Sequence, residues 1–141
     1  MKYTIPIKIL PFNNQGYHIM VTGELNKYKF HMLIDTGATL TVIDITRAKT
    51  IFRNPEMKIY DKFFMGIGTS KIDTYSMQID LLQMGDCSLE NFEVILIDME
   101  NINKAYAAFD LPRIDGIIGG DILKKYKAVI NYEKAILELS V

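Results

Sequence analysis

The chain has 141 residues, 49% of them hydrophobic and 23% charged, with a formal net charge of −1. That balance describes one folded domain, residues 1–141, able to bury a core, and it excludes a disordered chain. Sixteen basic residues against seventeen acidic ones, with no basic cluster, exclude nucleic acid as an expected partner, and no apolar run approaches a membrane span.

Alternation with period two dominates the chain. "MKYTIPIKILPF" (1–12) alternates, carries Pro6, and lacks a small-residue cleavage site, so it is expected to be an edge strand rather than a secretory signal. This favours a cytoplasmic location. Residues 17–35 split into two alternating runs around Asn26-Lys27, predicting a long hairpin with Tyr28, Phe30, Met32 and Ile34 on one face. Asp44 is placed to cap a short helix over 44–52. Residues 57–65 and 70–84 flank Gly66-Ile67-Gly68-Thr69 and are expected to pair as a second hairpin with a glycine-bearing tip. Further strands are expected over 92–98, 114–118, 127–132 and 135–141, and short helices over 98–109, capped by Asp98, and over 119–126. The result is a mainly β chain with short helices. Cys87 is the only cysteine, which excludes an internal disulfide and any Cys-based metal motif. The eight Met residues are expected to fill core.

"LIDTGATLTVID" (33–44) places Asp35 at the end of an apolar run, immediately before a Thr-Gly turn. The commonest role for such an aspartate is an Asx-turn or a cap. The apolar flanks on both sides predict a buried loop, however, and a buried carboxylate needs a partner. A second stretch, "IDGIIGGDIL" (114–123), runs two β-branched residues into Gly119-Gly120, where another backbone can approach closely.

Taken in order, "LIDTGAT", "MGIGTS" and "GIIGGDIL" resemble the catalytic loop, flap and hydrophobic-hydrophobic-Gly element of the retropepsin-like (retroviral-type) aspartic proteases in their bacterial single-lobe form. The C-terminal "GGDILKKYKAVINYEKAILEL" is similar to the eukaryotic DNA-damage-inducible members, while residues 92–113 look like an insertion relative to the viral enzymes. The resemblance implies a closed acid-protease barrel of one lobe. It also implies an aspartic endopeptidase in which two aspartates share one proton, one activating a water and the other donating to the scissile carbonyl, with neither metal nor cofactor.

One Asp-Thr-Gly per chain then requires a homodimer acting on a peptide or protein substrate. On this resemblance Asp35, Thr36 and Gly37 form the catalytic loop, Thr36 bonding across the axis. Ala38, Thr39, Gly66, Ile67, Gly68, Ile117 and Ile118 line the substrate site, the glycine-bearing tip closing over it. Ala38 omits a hydroxyl that many pepsin-like sites carry, so the expected working pH is less acidic than a digestive enzyme's. Asp115 lacks the Thr-Gly turn and is rejected as the second acid; Asp121 reads as a helix cap, and His18 and His31 as surface or packing residues. The terminal strands, residues 3–10 and 135–141, are both candidates for dimer pairing or edge cover. Three rivals stay open: an aspartyl-phosphate enzyme, disfavoured by Gly37 where a second acid would stand; a catalytically silent dimer of the same fold that binds peptides or scaffolds a complex; and a monomer activated by induced dimerisation.

Overall fold

In the computed structural model, residues 1–60 and 74–141 are described. The long hairpin forms as its alternation dictates: β3 (Gly16–Leu25) pairs antiparallel with β4 (Tyr28–Ile34), Leu25 opposite Tyr28. Asn26 and Lys27 both take positive φ, at 49° and 69°, the left-handed pair that matches strand twist in a two-residue turn. Phe30, Met32 and Ile34 are buried on one face. Tyr28, expected beside them, is 47% exposed because the strand begins there, and the Arg47 guanidinium lies over its ring.

Around this hairpin a barrel closes. β5 (Val42–Asp44) and β9 (Gly116–Ile118) lie between β4 and β8 (Cys87–Ile97), with β4–β9 and β5–β8 parallel and β5–β9 antiparallel. β7 (Tyr75–Met84) pairs with β8 and then returns to β3, Glu24 opposite Gln83 and Leu25 opposite Leu82, giving six strands in a ring. Backbone closeness at the seam requires Gly23, whose Cβ would fall 2.9 Å from the Gln83 carbonyl oxygen. Side chains from Val21, Phe30, Ile79, Leu89, Val94 and Leu96 fill the interior.

Two short strands extend the ring. β2 (Lys8–Phe12) adds to β3, and β6 (Lys58–Ile59) adds to β7. β1 (Lys2–Pro6), β11 (Ile136–Ser140) and β10 (Val129–Asn131) form a separate sheet in the order β1-β11-β10. The N-terminal run is therefore two edge strands rather than one, parted at Ile7, so that each half serves a different sheet.

The β7–β8 pair is an 84–87 hairpin through Gly85 (φ 59°), and β8 starts five residues before the predicted strand at 92. The predicted hairpin arms also meet: Lys58 opposes Ser76, Ile59 opposes Tyr75, and the Tyr60 amide donates to the Thr74 carbonyl at 2.7 Å. Its tip, with Gly66, Ile67 and Gly68, lies outside the described residues.

Helices cover the ends. α1 (Ile45–Ile51) is capped by Asp44, whose carboxylate accepts from the Arg47 amide. α2 (Glu100–Ala108) starts one residue later than predicted; Asp98 accepts from the Glu100 amide as an Asx-turn, and Met99 stands at the cap. α2 packs Tyr106 with Leu10, Met20, Met99 and Ile114 in a second, smaller core. α3 (Gly120–Lys125) follows β9. Among the described residues no helix is long and apolar enough to cross a membrane.

Candidate active site

The Asp-Thr-Gly segment forms the turn between β4 and β5 at one mouth of the barrel. Its backbone is pinned at both ends. The Asp35 amide donates to the Ile118 carbonyl at 3.0 Å, continuing the β4–β9 ladder, and the Ala38 amide returns to the Asp35 carbonyl at 3.1 Å. The Gly37 amide donates to Asp35 Oδ1 at 2.9 Å, which fixes the carboxylate's orientation.

The far side of the loop rests on the β9–α3 corner. The Gly120 amide donates to the Ala38 carbonyl at 2.7 Å, and the Asp121 amide to the Thr39 carbonyl at 3.2 Å. A Cβ on Gly119 would sit 2.8 Å from the Leu40 carbonyl and 2.9 Å from that of Ala38, so this contact of two backbones admits only glycine without a shift.

Thr41, 1% exposed, locks the corner from beneath. Its hydroxyl donates to Asp121 Oδ1 at 2.7 Å and accepts from the Gly119 amide at 3.1 Å, while its own amide donates to Asp121 Oδ2 at 3.0 Å. Asp121 was expected to be a helix cap. It lies instead inside the first turn of α3, Gly119 stands at the cap position, and the carboxylate ties α3 to the loop. A threonine six residues after the aspartate was the available signal, but its partner lies 80 residues away.

Asp35, Thr36, Gly37 and Thr39 are exposed and Ala38 is half-buried, in contrast to the buried loop that the flanks suggest. The apolar flanks pack under the loop: Ile34 and Ile43 descend into the barrel, and the turn between them rises from its rim. Two grooves meet at Thr36. One, about 400 Å³, is bounded by Tyr17, His18, Leu33, Asp35, Ile130 and Tyr132; the other, about 500 Å³, by Gly120, Leu123, Lys124, Lys127 and Ala128. Among the described residues Asp35 is the only acid on either wall.

Alternation along β9 divides the isoleucine pair. Ile118 is 1% exposed and lies in the barrel core, whereas Ile117 faces the other way, half-buried with Leu33.

Among the described residues the buried acids are committed elsewhere. Asp115, 4% exposed, accepts from the His31 amide at 2.9 Å and faces Arg47 Nε at 3.4 Å and Arg113 Nε at 3.8 Å. Asp44 accepts from the Met99 amide at 3.1 Å and from Arg113 Nη2 at 3.1 Å. Burial holds the His31 imidazole below its ordinary pKa, against the opposing pull of Asp115. His18 stacks on Phe12 with ring centroids 4.7 Å apart, and its Nδ1 is hydrogen-bonded to the Tyr106 hydroxyl, whose pKa burial pushes up to about 12. His18 thus packs as expected, yet it also lines the groove beside Asp35. Among the described residues no cluster of three or more His, Cys, Asp or Glu side chains is grouped to hold a metal.

No curated protein matches the sequence. A retropepsin-like aspartic protease from Rickettsia conorii superposes with a TM-score of 0.60 at 17% identity, covering 99% of this chain and 90% of that one. The retroviral protease-like domain of Ddi1 from Leishmania major gives 0.55 at 16% identity over 85% of this chain and 86% of the other. The EIAV protease, solved with the inhibitor HBY-793, gives 0.54 at 17% identity over 85% and 97%. These likenesses establish a shared retropepsin-like fold. The sequence profile of the aspartyl protease family matches residues 21–122, which takes in the Asp-Thr-Gly loop, the barrel seam and the β9–α3 corner. With that match spanning well over half its length, the chain belongs to the aspartyl protease family.

Proposed function

We propose that the protein is an aspartic endopeptidase, in which Asp35 from each of two identical one-domain protomers, residues 1–141, forms a dyad that hydrolyses a peptide bond in a peptide or protein substrate. The observation that carries this reading is the exposed, oriented carboxylate of Asp35 on a loop fastened to β9 and α3. A lone carboxylate can take a proton from water or donate one to a carbonyl, but not both at once, and amide hydrolysis by direct water attack needs both. Two copies supply the pair; one carboxylate removes a proton from water while its mate protonates the scissile oxygen, and as the C–N bond breaks the first gives that proton to the departing nitrogen while the mate takes its own back from the diol hydroxyl, leaving the carboxylic acid product and the starting dyad.

Thr36, at the junction of the two grooves, faces the axis and fixes the two loops against each other, while Gly37 leaves room for the substrate backbone. Ala38 and Thr39 flank the bound peptide, Ile117 adds an apolar wall, and Ile118 supports the loop from the core. Gly66, Ile67 and Gly68, outside the described residues, are assigned to the substrate site on the motif order alone. The protein is expected to act in the cytoplasm and to need no metal or cofactor.

The test compares wild type with Asp35→Asn on an unstructured protein substrate from mildly acidic to neutral pH, with molecular mass measured alongside. Cleavage is expected to vanish in the variant, and the active species to be a dimer. Retained cleavage by Asp35→Asn would end the assignment. An optimum deep in the acid range would contradict the reading of Ala38.

A further inference from the structure

α2 sends one hydroxyl to the wall of the groove that holds Asp35. Tyr106 is 2% exposed, packed with Leu10, Met20, Met99 and Ile114, and its hydroxyl is hydrogen-bonded to His18 Nδ1 on β3. Phe12 covers the imidazole face, stacked at 4.7 Å between ring centroids with an interplanar angle of 17°, and Phe109 in turn meets Phe12 edge-on at 4.9 Å. His18 therefore has a fixed ring plane and one committed nitrogen, and it lines the groove of about 400 Å³ together with Asp35. α2 lies in the segment, residues 92–113, whose sequence departs from the viral pattern, so this support belongs to the chain and not to the barrel as such.

The bond between Tyr106 and His18 has a direction. A buried O–H needs an acceptor, and among the described residues Nδ1 is the one that the Tyr106 hydroxyl meets. Burial pushes the Tyr106 pKa up to about 12, so the phenol keeps its proton. The hydroxyl donates, Nδ1 accepts, and the proton of the neutral imidazole resides on Nε2. Among the described residues nothing bonds Nε2, which leaves its N–H as the polar group that His18 can offer to the groove.

Granted the reading of Asp35 as catalyst, we propose that His18 is a specificity-determining residue, held by Tyr106 as its positioning residue, and that it selects a substrate glutamine near the scissile bond. The groove sets apolar Leu33 and Ile130 beside the hydroxyls of Tyr17 and Tyr132. A glutamine side chain has an apolar stem for the first pair, an amide oxygen to accept from Nε2–H, and an amide nitrogen to donate to a tyrosine oxygen. Leucine has the stem without the acceptor. Glutamate has the acceptor, but its charge would share the groove with that of Asp35.

The test maps a casein cleavage site and then varies peptides around it, placing Gln, Glu or Leu in turn at each position within three of the scissile bond. At one position wild type is expected to favour Gln over Leu by about three- to tenfold in kcat/KM, the worth of one neutral hydrogen bond, and Gln over Glu. His18→Phe keeps an aromatic ring against Phe12 and loses the donor, and its Gln/Leu ratio is expected to fall to about one. Tyr106→Phe is expected to lower the ratio by about twofold or more. Circular dichroism checks the fold, and a ratio within one variant does not depend on how much folded enzyme is present. Side-chain nitrogen NMR at about pH 8, where a free imidazole is neutral, is expected to show His18 protonated on Nε2, and Tyr106→Phe to mix the two tautomers. In Asp35→Asn, the Gln peptide is expected to shift the Nε2 signal and the Leu peptide to leave it in place.

Equal Gln/Leu ratios in wild type and His18→Phe, a preference for Glu over Gln, or an unchanged tautomer in Tyr106→Phe would overturn the assignment and leave Asp35 untouched. Cleavage retained by Asp35→Asn, or none by wild type, would instead end the reading of Asp35 on which this one rests.

Discussion

Replacing Thr41 with Val removes a hydroxyl at constant volume, so the effect isolates two hydrogen bonds with no cavity. The Gly119 amide, buried under the loop at 3.1 Å, would lose its acceptor, a desolvation penalty of about 1–3 kcal/mol. The bond to the Asp121 carboxylate at 2.7 Å is charge-assisted and contributes about 1.5–3 kcal/mol, although Asp121 keeps the amides of Thr41 and Ile122. Because those remaining bonds soften the second loss, the expected destabilisation is about 2–4 kcal/mol. Urea unfolding at fixed protomer concentration measures it, since any dimer adds a concentration-dependent share to apparent stability. Thr41→Ser keeps the hydroxyl and is expected to lose about 1 kcal/mol for the missing methyl. A double-mutant cycle with Asp121→Asn should return a coupling above about 0.5 kcal/mol. A Thr41→Val protein as stable as Thr41→Ser would refute the idea that this hydroxyl fastens the loop to α3.

Two further outcomes concern the barrel away from the site. Gly23→Ala would push a methyl to 2.9 Å from the Gln83 carbonyl and 3.0 Å from Met84 Cγ, so the β3–β7 seam must part; a loss of about 1–3 kcal/mol is expected in thermal unfolding, and none would mean the seam already gives. His31 has its pKa lowered by burial, so the unfolded chain takes up the proton first. Its contribution is intact above about pH 6.5 and is lost as pH falls through the lower folded value. His31→Gln is therefore expected to lose less stability than wild type between about pH 7 and 5, as read from melting temperatures, and parallel profiles would contradict this.

What the sequence made readable was local. The Asn26-Lys27 turn, the Asp44 cap and the Gly119-Gly120 corner each follow from chemistry within a few residues. The ordered motifs add the family. Barrel closure was not readable, because β3 meets β7 through residues nearly sixty positions apart and Gly23 is the only trace of it. The β7–β8 hairpin is hidden in the sequence although Gly85-Asp86 is a good turn, because the polar Ser88 and Glu90 break the apolar pattern ahead of Phe92. Asp121 is ambiguous for a related reason. A carboxylate beside a helix start is indistinguishable in sequence from a cap, and its true partner, Thr41, is brought to it only by the fold. The exposure of Asp35 likewise depends on which way the rim of the barrel opens, which alternation alone does not specify.

The pairing of β1 with β11 has a kinetic side. Pro6 and Ile136 face each other across 130 positions of sequence, so this small sheet can close only after the barrel's hairpins have drawn the two segments together.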